Sequence, residues 1–181
     1  MPRSLLKALM DRTYRNSRQS TPVHISALEL ANKINKSGQQ NEMSEFEKGY
    51  RAASAAVFGG SELSWGGELV PPDKPVFHGQ IILLVDGGCA SACEAFAGPF
   101  KNNHRATLVG ETTEGTAGPA FMVDLDDGMQ LGIAATRQYF PDGTEFEGVG
   151  IKPDVEVHPT IDDLKSGRDT ILIKALELAE K

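Results

Sequence analysis

With 181 residues, 40% of them hydrophobic and 24% charged, the chain has the composition of an ordinary folded domain, long enough to bury a core of its own. A formal net charge of -7 and the lack of any basic cluster exclude a nucleic-acid or anionic-membrane surface. No apolar run approaches membrane-spanning length, and two cysteines and four histidines without zinc-like spacing provide neither a disulfide scaffold nor a metal centre, so no cofactor is expected.

In chain order, Met1-Pro-Arg-Ser-Leu-Leu-Lys-Ala-Leu-Met10 reads as a short amphipathic helix; Lys7 interrupts it and no small-residue cleavage site follows, so it is a poor signal peptide. Ile25, Leu28, Leu30, Ala31 and Ile34 form a helical stripe ending near Gly38, and Ser44-Glu-Phe-Glu47 is a capping box opening a second helix through Val57. Residues 1–60 are therefore expected to be a helical segment. Gly59-Gly60, Gly66-Gly67 and Pro71-Pro72 mark residues 61–79 as an irregular connection, in which Trp65 pins the loop to the core or lines a groove.

From Gln80 the pattern turns to α/β, and residues 80–181 are expected to form the third unit. Ile81 to Val85 is a continuous apolar run, which suits a strand buried on both faces of a largely parallel sheet. A helix opens at Ser91 and carries Ala92, Ala95, Phe96 and Ala97 before Gly98-Pro99 disturbs it. Ala106 to Val109 is the next strand; Phe121 to Leu125 and Met129 to Phe140 follow as two strands joined at Asp126-Asp127-Gly128. Asp154 to Val157 is a last short strand. Asp169 then caps a terminal helix with Ile171, Leu172, Ala175, Leu176 and Ala179 turned inward.

The strand-to-helix junction carries the chemistry. In Asp86-Gly-Gly-Cys-Ala-Ser91 a strand passes through two glycines into a serine at a helix start, where unpaired N–H groups and the positive end of the helix dipole would stabilise an oxyanion. Gly87 and Gly88 permit a sharp turn and leave room for a substrate carbonyl. The structural alternative is that Ser91 is an ordinary N-cap. Cys89 and Cys93 flank it and are expected as small buried thiols beneath the turn rather than as a bridge. Cys93 sits about half a helical turn from Ser91, which disfavours it as the nucleophile.

Three further segments follow in order: Arg105-Ala-Thr-Leu-Val-Gly-Glu-Thr-Thr-Glu-Gly115, Leu125-Asp-Asp-Gly-Met-Gln-Leu-Gly-Ile133 and Pro141-Asp-Gly-Thr-Glu-Phe-Glu147-Gly-Val-Gly-Ile-Lys-Pro-Asp154-Val155. With Ala90-Ser91-Ala92-Cys93-Glu94, they resemble, over residues 75 to 157, the catalytic half of the C-terminal processing peptidases. This family of tail-specific serine proteases includes the tricorn core and the interphotoreceptor retinoid-binding repeats. The resemblance implies an α/β fold with a crotonase- and Clp-protease-like βαβ core. It makes Ser91 the nucleophile and the Ala92 amide an oxyanion donor.

A serine hydroxyl needs a base, and here the chain departs from the pattern. Where one branch has a lysine after the glycine, Gly115 is followed by Thr116 and Ala117, so the Ser/Lys dyad is absent. The tricorn-like branch uses an upstream histidine and the glutamate of Glu-x-x-Gly-x-x-Pro-Asp, which is matched by Glu147. None of His24, His78, His104 and His158 aligns with that base; His78 and His104 are the candidates inside the chain. The Arg-Gly-Asn-x-Gly-Gly oxyanion segment is not found.

Thr113 is a candidate contact for the substrate main chain. Glu94 is expected to serve the helix dipole, Glu111 and Glu114 to be solvated, and Arg105 and Arg137 to pair with acidic neighbours at the surface. The resemblance implies a C-terminal piece of a longer peptidase acting on peptides or proteins. A missing N-terminal half would complete the site, and an exposed sheet edge would allow homo-oligomers. The alternative is an inactive member of the same fold that binds a lipophilic ligand or a peptide. Relatives of this kind are commonly periplasmic or extracellular.

Overall fold

The computed structural model describes residues 2–22, 62–74 and 77–180, so the helices expected between residues 25 and 57, and His24, lie outside the described residues. The fold is mixed α/β. The helix α1 (Pro2–Leu9) is followed by strands β1 (Tyr14–Arg15), β2 (Arg18–Pro22), β3 (Glu62–Gly66), β4 (Leu69–Val70) and β5 (Ile82–Val85). Helix α2 (Ala92–Asn102) then leads to β6 (Thr107–Gly110), β7 (Ala120–Asp124), β8 (Gln130–Ala134), β9 (Arg137–Tyr139) and β10 (Val155–Glu156), and helices α3 (Ile161–Ser166) and α4 (Thr170–Ala179) end the described chain.

The unit that positions the site is β5-α2-β6. Its two strands pair in parallel, Ile82 opposite Thr107 through Val85 opposite Gly110, and β10 adds a third parallel strand on the far side of β6. Parallel neighbours need a crossover, and α2 supplies it. Leu6 of α1 and Met10 just after it join Tyr14, Val85, Cys89, Ala97, Phe100, Leu108, Phe146 and Ile151 in one buried cluster. Phe96 and Phe100 meet edge to face at 5.0 Å between ring centres, one helical turn apart. Pro99 lies within α2 instead of ending it, and the helix runs on to Asn102. A proline here forfeits the bond to the Ala95 carbonyl and crowds that carbonyl with its ring, so the surrounding packing, not local preference, holds the helix through it.

Several sequence expectations need correction. Residues 14–22, placed in a helical segment, form β1 and β2, and residues 62–70, placed in an irregular connection, form β3 and β4. Pairing explains both: β2 lies antiparallel between β3 and β9, so a polar run gains ladder bonds on both sides. Trp65 is in β3, opposite Gln19. The expected strand from Met129 to Phe140 is broken at Ala135-Thr136, because β8 pairs with β7 while β9 joins β2 in another sheet.

β5 is not buried on both faces: Leu84 is 41% exposed, and β5 forms the edge of its sheet among the described residues. In α4 only Ala175 is buried, while Leu172 and Leu176 are exposed. The cap at Asp169 is as expected, accepting from the Leu172 amide at 2.9 Å. Among the described residues no helix is long and apolar enough to cross a membrane.

Arg105 is also not a surface residue. Its guanidinium donates to the carbonyls of Leu9 at 2.9 Å, Gly79 at 3.0 Å and Phe77 at 2.6 Å, lies 3.7 Å from Asp11, and stands over the Phe77 ring. One side chain thus ties α1 and the segment entering β5 to the start of β6. Arg105→Ala is expected to cost about 3 kcal/mol in urea unfolding, because three partly buried carbonyls lose their donor. Arg105→Lys should recover less than half of that, since one ammonium cannot span the fork of acceptors.

Candidate active site at the nucleophile turn

Two loops leave the carboxyl ends of the parallel strands: residues 86–91 after β5 and residues 111–118 after β6. Ligands of open α/β sheets collect at such ends. The loops are laced together by backbone bonds from Glu111 to the Val85 carbonyl at 3.0 Å, from Glu114 to the Cys89 carbonyl at 3.0 Å and from Ser91 to the Thr116 carbonyl at 2.7 Å.

Ser91 stands at the junction with φ 51° and ψ −109°, and its side chain makes no capping bond to α2. The conformation is disfavoured for any residue with a Cβ, by roughly 1–3 kcal/mol. The ordinary N-cap reading therefore fails: an N-cap serine has extended backbone and spends its hydroxyl on the helix. Here the hydroxyl is exposed on a strained strand-to-helix turn, the geometry that presents a nucleophile in hydrolases built this way. The next amide, Ala92, is the first of the helix and has no helical acceptor.

The expected role of the glycines is corrected. Gly87 and Gly88 do not take positive φ, and a Cβ on Gly87 would meet nothing within 4 Å. Ser91 itself makes the sharp turn. The Gly88 amide donates to Asp86 Oδ1 at 2.9 Å.

Glu94 is the residue whose importance the sequence understated. It is 0% exposed, and Oε1 accepts from Thr113 Oγ1 at 2.5 Å and from the Gly115 amide at 2.7 Å. Thr113 Oγ1 in turn accepts from the Ile151 amide at 2.7 Å. The carboxylate thus fastens the first turn of α2 to the loop that carries the acceptor for Ser91. Thr113 is buried and its hydroxyl is consumed internally, so it does not reach a substrate main chain as expected. Spacing along α2 was the available signal: Glu94 lies three and four residues before the small residues Ala97 and Gly98, on the buried side of the helix.

Glu147 joins the same loop from the other side. Its Oε2 accepts from the Gly118 amide at 3.0 Å, and the next amide, Gly148, donates to the Gly115 carbonyl at 2.6 Å. A side chain at Gly118 would strike Thr136 Oγ1 at 2.6 Å, so only glycine lets the loop pass under Glu147. Partial burial raises the Glu147 pKa above its ordinary value of 4.5, the Gly118 and Ala117 amides oppose the shift, and the charge of Glu94 adds to it. Gly150 closes the loop: it has φ 84°, and a Cβ there would lie 2.1 Å from the Thr113 carbonyl.

The histidines divide by position. His78 and His104 lie before β5 and β6, at the opposite end of the strands from Ser91, and His104 lines a separate polar cleft with Lys101, Arg105 and Asp154. Four-residue strands separate the two ends by roughly 13 Å, so neither is a base for Ser91 in this structure. His158 is at the near end but is held by Glu111 at 3.1 Å and Glu156 at 3.2 Å, and the Glu111 bond raises its pKa.

Cys89 and Cys93 form a disulfide, against the expectation of two thiols, with Cα atoms 5.4 Å apart. The turn at Ser91 brings the strand end and the first turn of α2 within bridging distance. Both cysteines line a cleft of about 420 Å³ with Leu84, Val85, Asp86, Gly88, Ala90, Asp169 and Ile171. No cluster of three His, Cys, Asp or Glu side chains among the described residues could hold a metal ion.

The strain at Ser91 makes a specific prediction. Ser91→Gly, which accepts the observed φ and ψ freely, should raise stability by about 1 kcal/mol in urea unfolding while deleting the hydroxyl. A destabilised Ser91→Gly would show that the turn is not strained.

Comparison with known proteins places the chain in a family. The profile described as peptidase family S41 matches residues 9–157. The chain is 34% identical over 92 residues to a carboxy-terminal-processing protease of Bartonella bacilliformis, covering 51% of this chain and 21% of that protein. It is 35% identical over 81 residues to a chloroplastic C-terminal processing peptidase of Tetradesmus obliquus, covering 45% and 18%. The chain thus spans about a fifth of these relatives in its matches. A solved structure of mature CPAF complexed with lactacystin superposes with a TM-score of 0.69 at 17% identity, over 97% of this chain and 40% of that one, which shows the shared fold. The match across residues 9–157 establishes that the chain belongs to peptidase family S41.

Proposed function

We propose that this chain carries the nucleophile-bearing part of a serine peptidase, in which Ser91 Oγ attacks a peptide carbonyl. The single observation that carries this reading is the conformation of Ser91: a non-glycine residue at positive φ, at a helix start, with its hydroxyl not used as a cap. Family membership agrees with it. The Ala92 amide and the helix dipole would stabilise the oxyanion, and Glu147, seated on the Gly118 amide, would orient and charge-balance a protonated base. Peptide-bond hydrolysis then proceeds through an acyl-enzyme on Ser91 that water resolves.

The base and a second oxyanion donor are to come from outside the described residues, in an N-terminal half that completes the peptidase unit. Of the three units expected in the sequence, 80–181 is proposed as the catalytic half-domain. Peptide or protein substrates suit the site because the last residues of β5, an edge strand among the described residues, line the cleft, and an extended peptide can pair with such an edge. The same edge is a route to self-association. A lipophilic-ligand carrier is less well supported, since Asp86 and Asp169 stand in the cleft walls.

The test is peptide hydrolysis by the 181-residue chain and its variants. The isolated chain should turn over slowly, because one lost oxyanion donor alone costs about a hundredfold to a thousandfold. Ser91→Ala should remove what activity remains, and equal turnover in Ser91→Ala and the parent would overturn the nucleophile assignment. In the peptidase unit completed by the N-terminal half that supplies the base, Glu147→Gln should lower turnover by about a hundredfold.

Glu147→Gln should also melt no lower than the parent at neutral pH. A carboxyl with a raised folded pKa favours the folded state fully below its unfolded value and loses that contribution as pH rises through the folded value. The variant's advantage should therefore shrink as pH falls through the raised folded value and vanish below 4.5, where Glu147 is protonated in both states.

A further inference from the structure

We infer that the Cys89–Cys93 disulfide is a redox-sensitive clamp on the nucleophile turn: the oxidised chain holds Ser91 in its strained, presented conformation, and a dithiol reductant releases it. The bridge joins the second residue before Ser91 to the second residue after it, so the turn is closed covalently around that one residue. Within the ring, the Cys93 amide donates to the Ala90 carbonyl at 3.0 Å and the Ser91 amide to Thr116 at 2.7 Å. The Cys89 carbonyl accepts from the Glu114 amide at 3.0 Å, so the clamp also reaches the loop that seats Glu94 and Glu147.

A backbone at φ 51° and ψ −109° relaxes unless its surroundings over-determine it. Weak hydrogen bonds remain after reduction, but the covalent closure does not.

The bridge is also reachable. Cys89 is 6% exposed, Cys93 is exposed, and both border the open cleft. A thiolate of the reductant attacks the Cys93 sulfur, the S–S bond breaks, and Cys89 leaves as a thiolate that takes up a proton. The second thiolate of the reductant then attacks its own sulfur in the mixed disulfide, and Cys93 leaves and is protonated in turn. Two electrons and two protons pass to the cysteine pair, and the reductant becomes an intramolecular disulfide. Cys93 lies in the first turn of α2, where the helix dipole favours its thiolate as the leaving group of that second step.

The effect on reactivity rests on the reading of Ser91 as nucleophile; the clamp itself does not. The experiment uses the 181-residue chain purified without reductant and incubated with thioredoxin, NADPH and thioredoxin reductase, or with oxidant. Thiols are trapped with N-ethylmaleimide without denaturant, amide exchange is followed on peptides covering residues 86–97, and a fluorophosphonate reports on Ser91. No maleimide should add before reduction and two after it. Amide exchange around Ser91 should rise by at least about tenfold on reduction, with α4 unchanged, and should return to its starting value on reoxidation with diamide.

Fluorophosphonate labelling of Ser91 should fall by a similar factor on reduction. If Ser91 is unreactive in both states while exchange still switches, the clamp stands and the nucleophile reading falls. Free thiols in the oxidant-treated chain, reduction that needs denaturant, or identical exchange in both states would overturn the clamp. So would loosening of the whole fold on reduction. Cys89→Ser with Cys93→Ser should behave as the reduced chain and ignore thioredoxin; the reduction experiment on the parent chain stands without that variant.

Discussion

A buried carboxylate organises this molecule. Glu94 has no contact with solvent, and two donors hold its Oε1 while its Oε2 is buried without a partner among the described residues. Its donors are the Thr113 hydroxyl and the Gly115 amide, which belong to a loop, and the Thr113 hydroxyl is itself fixed by the Ile151 amide. The loop cannot shift without stranding Glu94, and α2 cannot turn without stranding Thr113. Ser91, bonded to Thr116, and Glu147, bonded to Gly118, take their positions from the same loop. One hydrogen-bonded anchor therefore sets the register of both candidate catalytic side chains. Removing one partner of such an anchor costs more than the bond itself, because the other is left buried and unpaired.

This anchor and the Cys89–Cys93 bridge, which closes the turn around Ser91, together hold the strain there. A disfavoured backbone persists only where neighbouring structure leaves it no alternative. Here β5 delivers the chain from one side, the Thr116 carbonyl holds the Ser91 amide, and α2 is fixed by Glu94 one turn on. The result is a hydroxyl that faces solvent at the positive end of a helix, with the adjacent Ala92 amide unspent within the helix. On the proposed reading the arrangement would supply presentation and charge stabilisation, and proton removal would fall to a group outside the described residues.

Much of this was legible in the sequence, for identifiable reasons. The run Ile81 to Val85 followed by Gly-Gly and a serine before small helical residues marked β5, the turn and α2, because local pattern governs such junctions. Asp169 and the Asp126-Asp127-Gly128 turn were readable from local chemistry. What escaped was decided by contacts between distant residues. Arg105 looks like any surface arginine until α1 and the 77–79 segment bring three carbonyls to it. Glu94 looks like a helix-dipole residue until the loop after β6 folds over it.

The cysteines could not be paired from spacing, because the bridge depends on the positive φ of the residue between them. β2 is polar and ends in a proline, and only its two neighbours make it a strand. The apolar residues of α4 were rightly placed in a helix, but of them only Ala175 is buried while Leu172 and Leu176 are exposed, since periodicity tells which face is apolar and not what covers it.

The central claim is that the turn before α2 presents Ser91 as a nucleophile. The most direct measurement is to locate the covalent adduct formed when the oxidised chain reacts with a serine-directed phosphonate, by mass spectrometry of the digested protein. The account predicts a single slow adduct on Ser91 that is absent from Ser91→Ala and from thermally unfolded chain. Modification spread over other serines, or an adduct on Ser91 that forms equally well after unfolding, would contradict it.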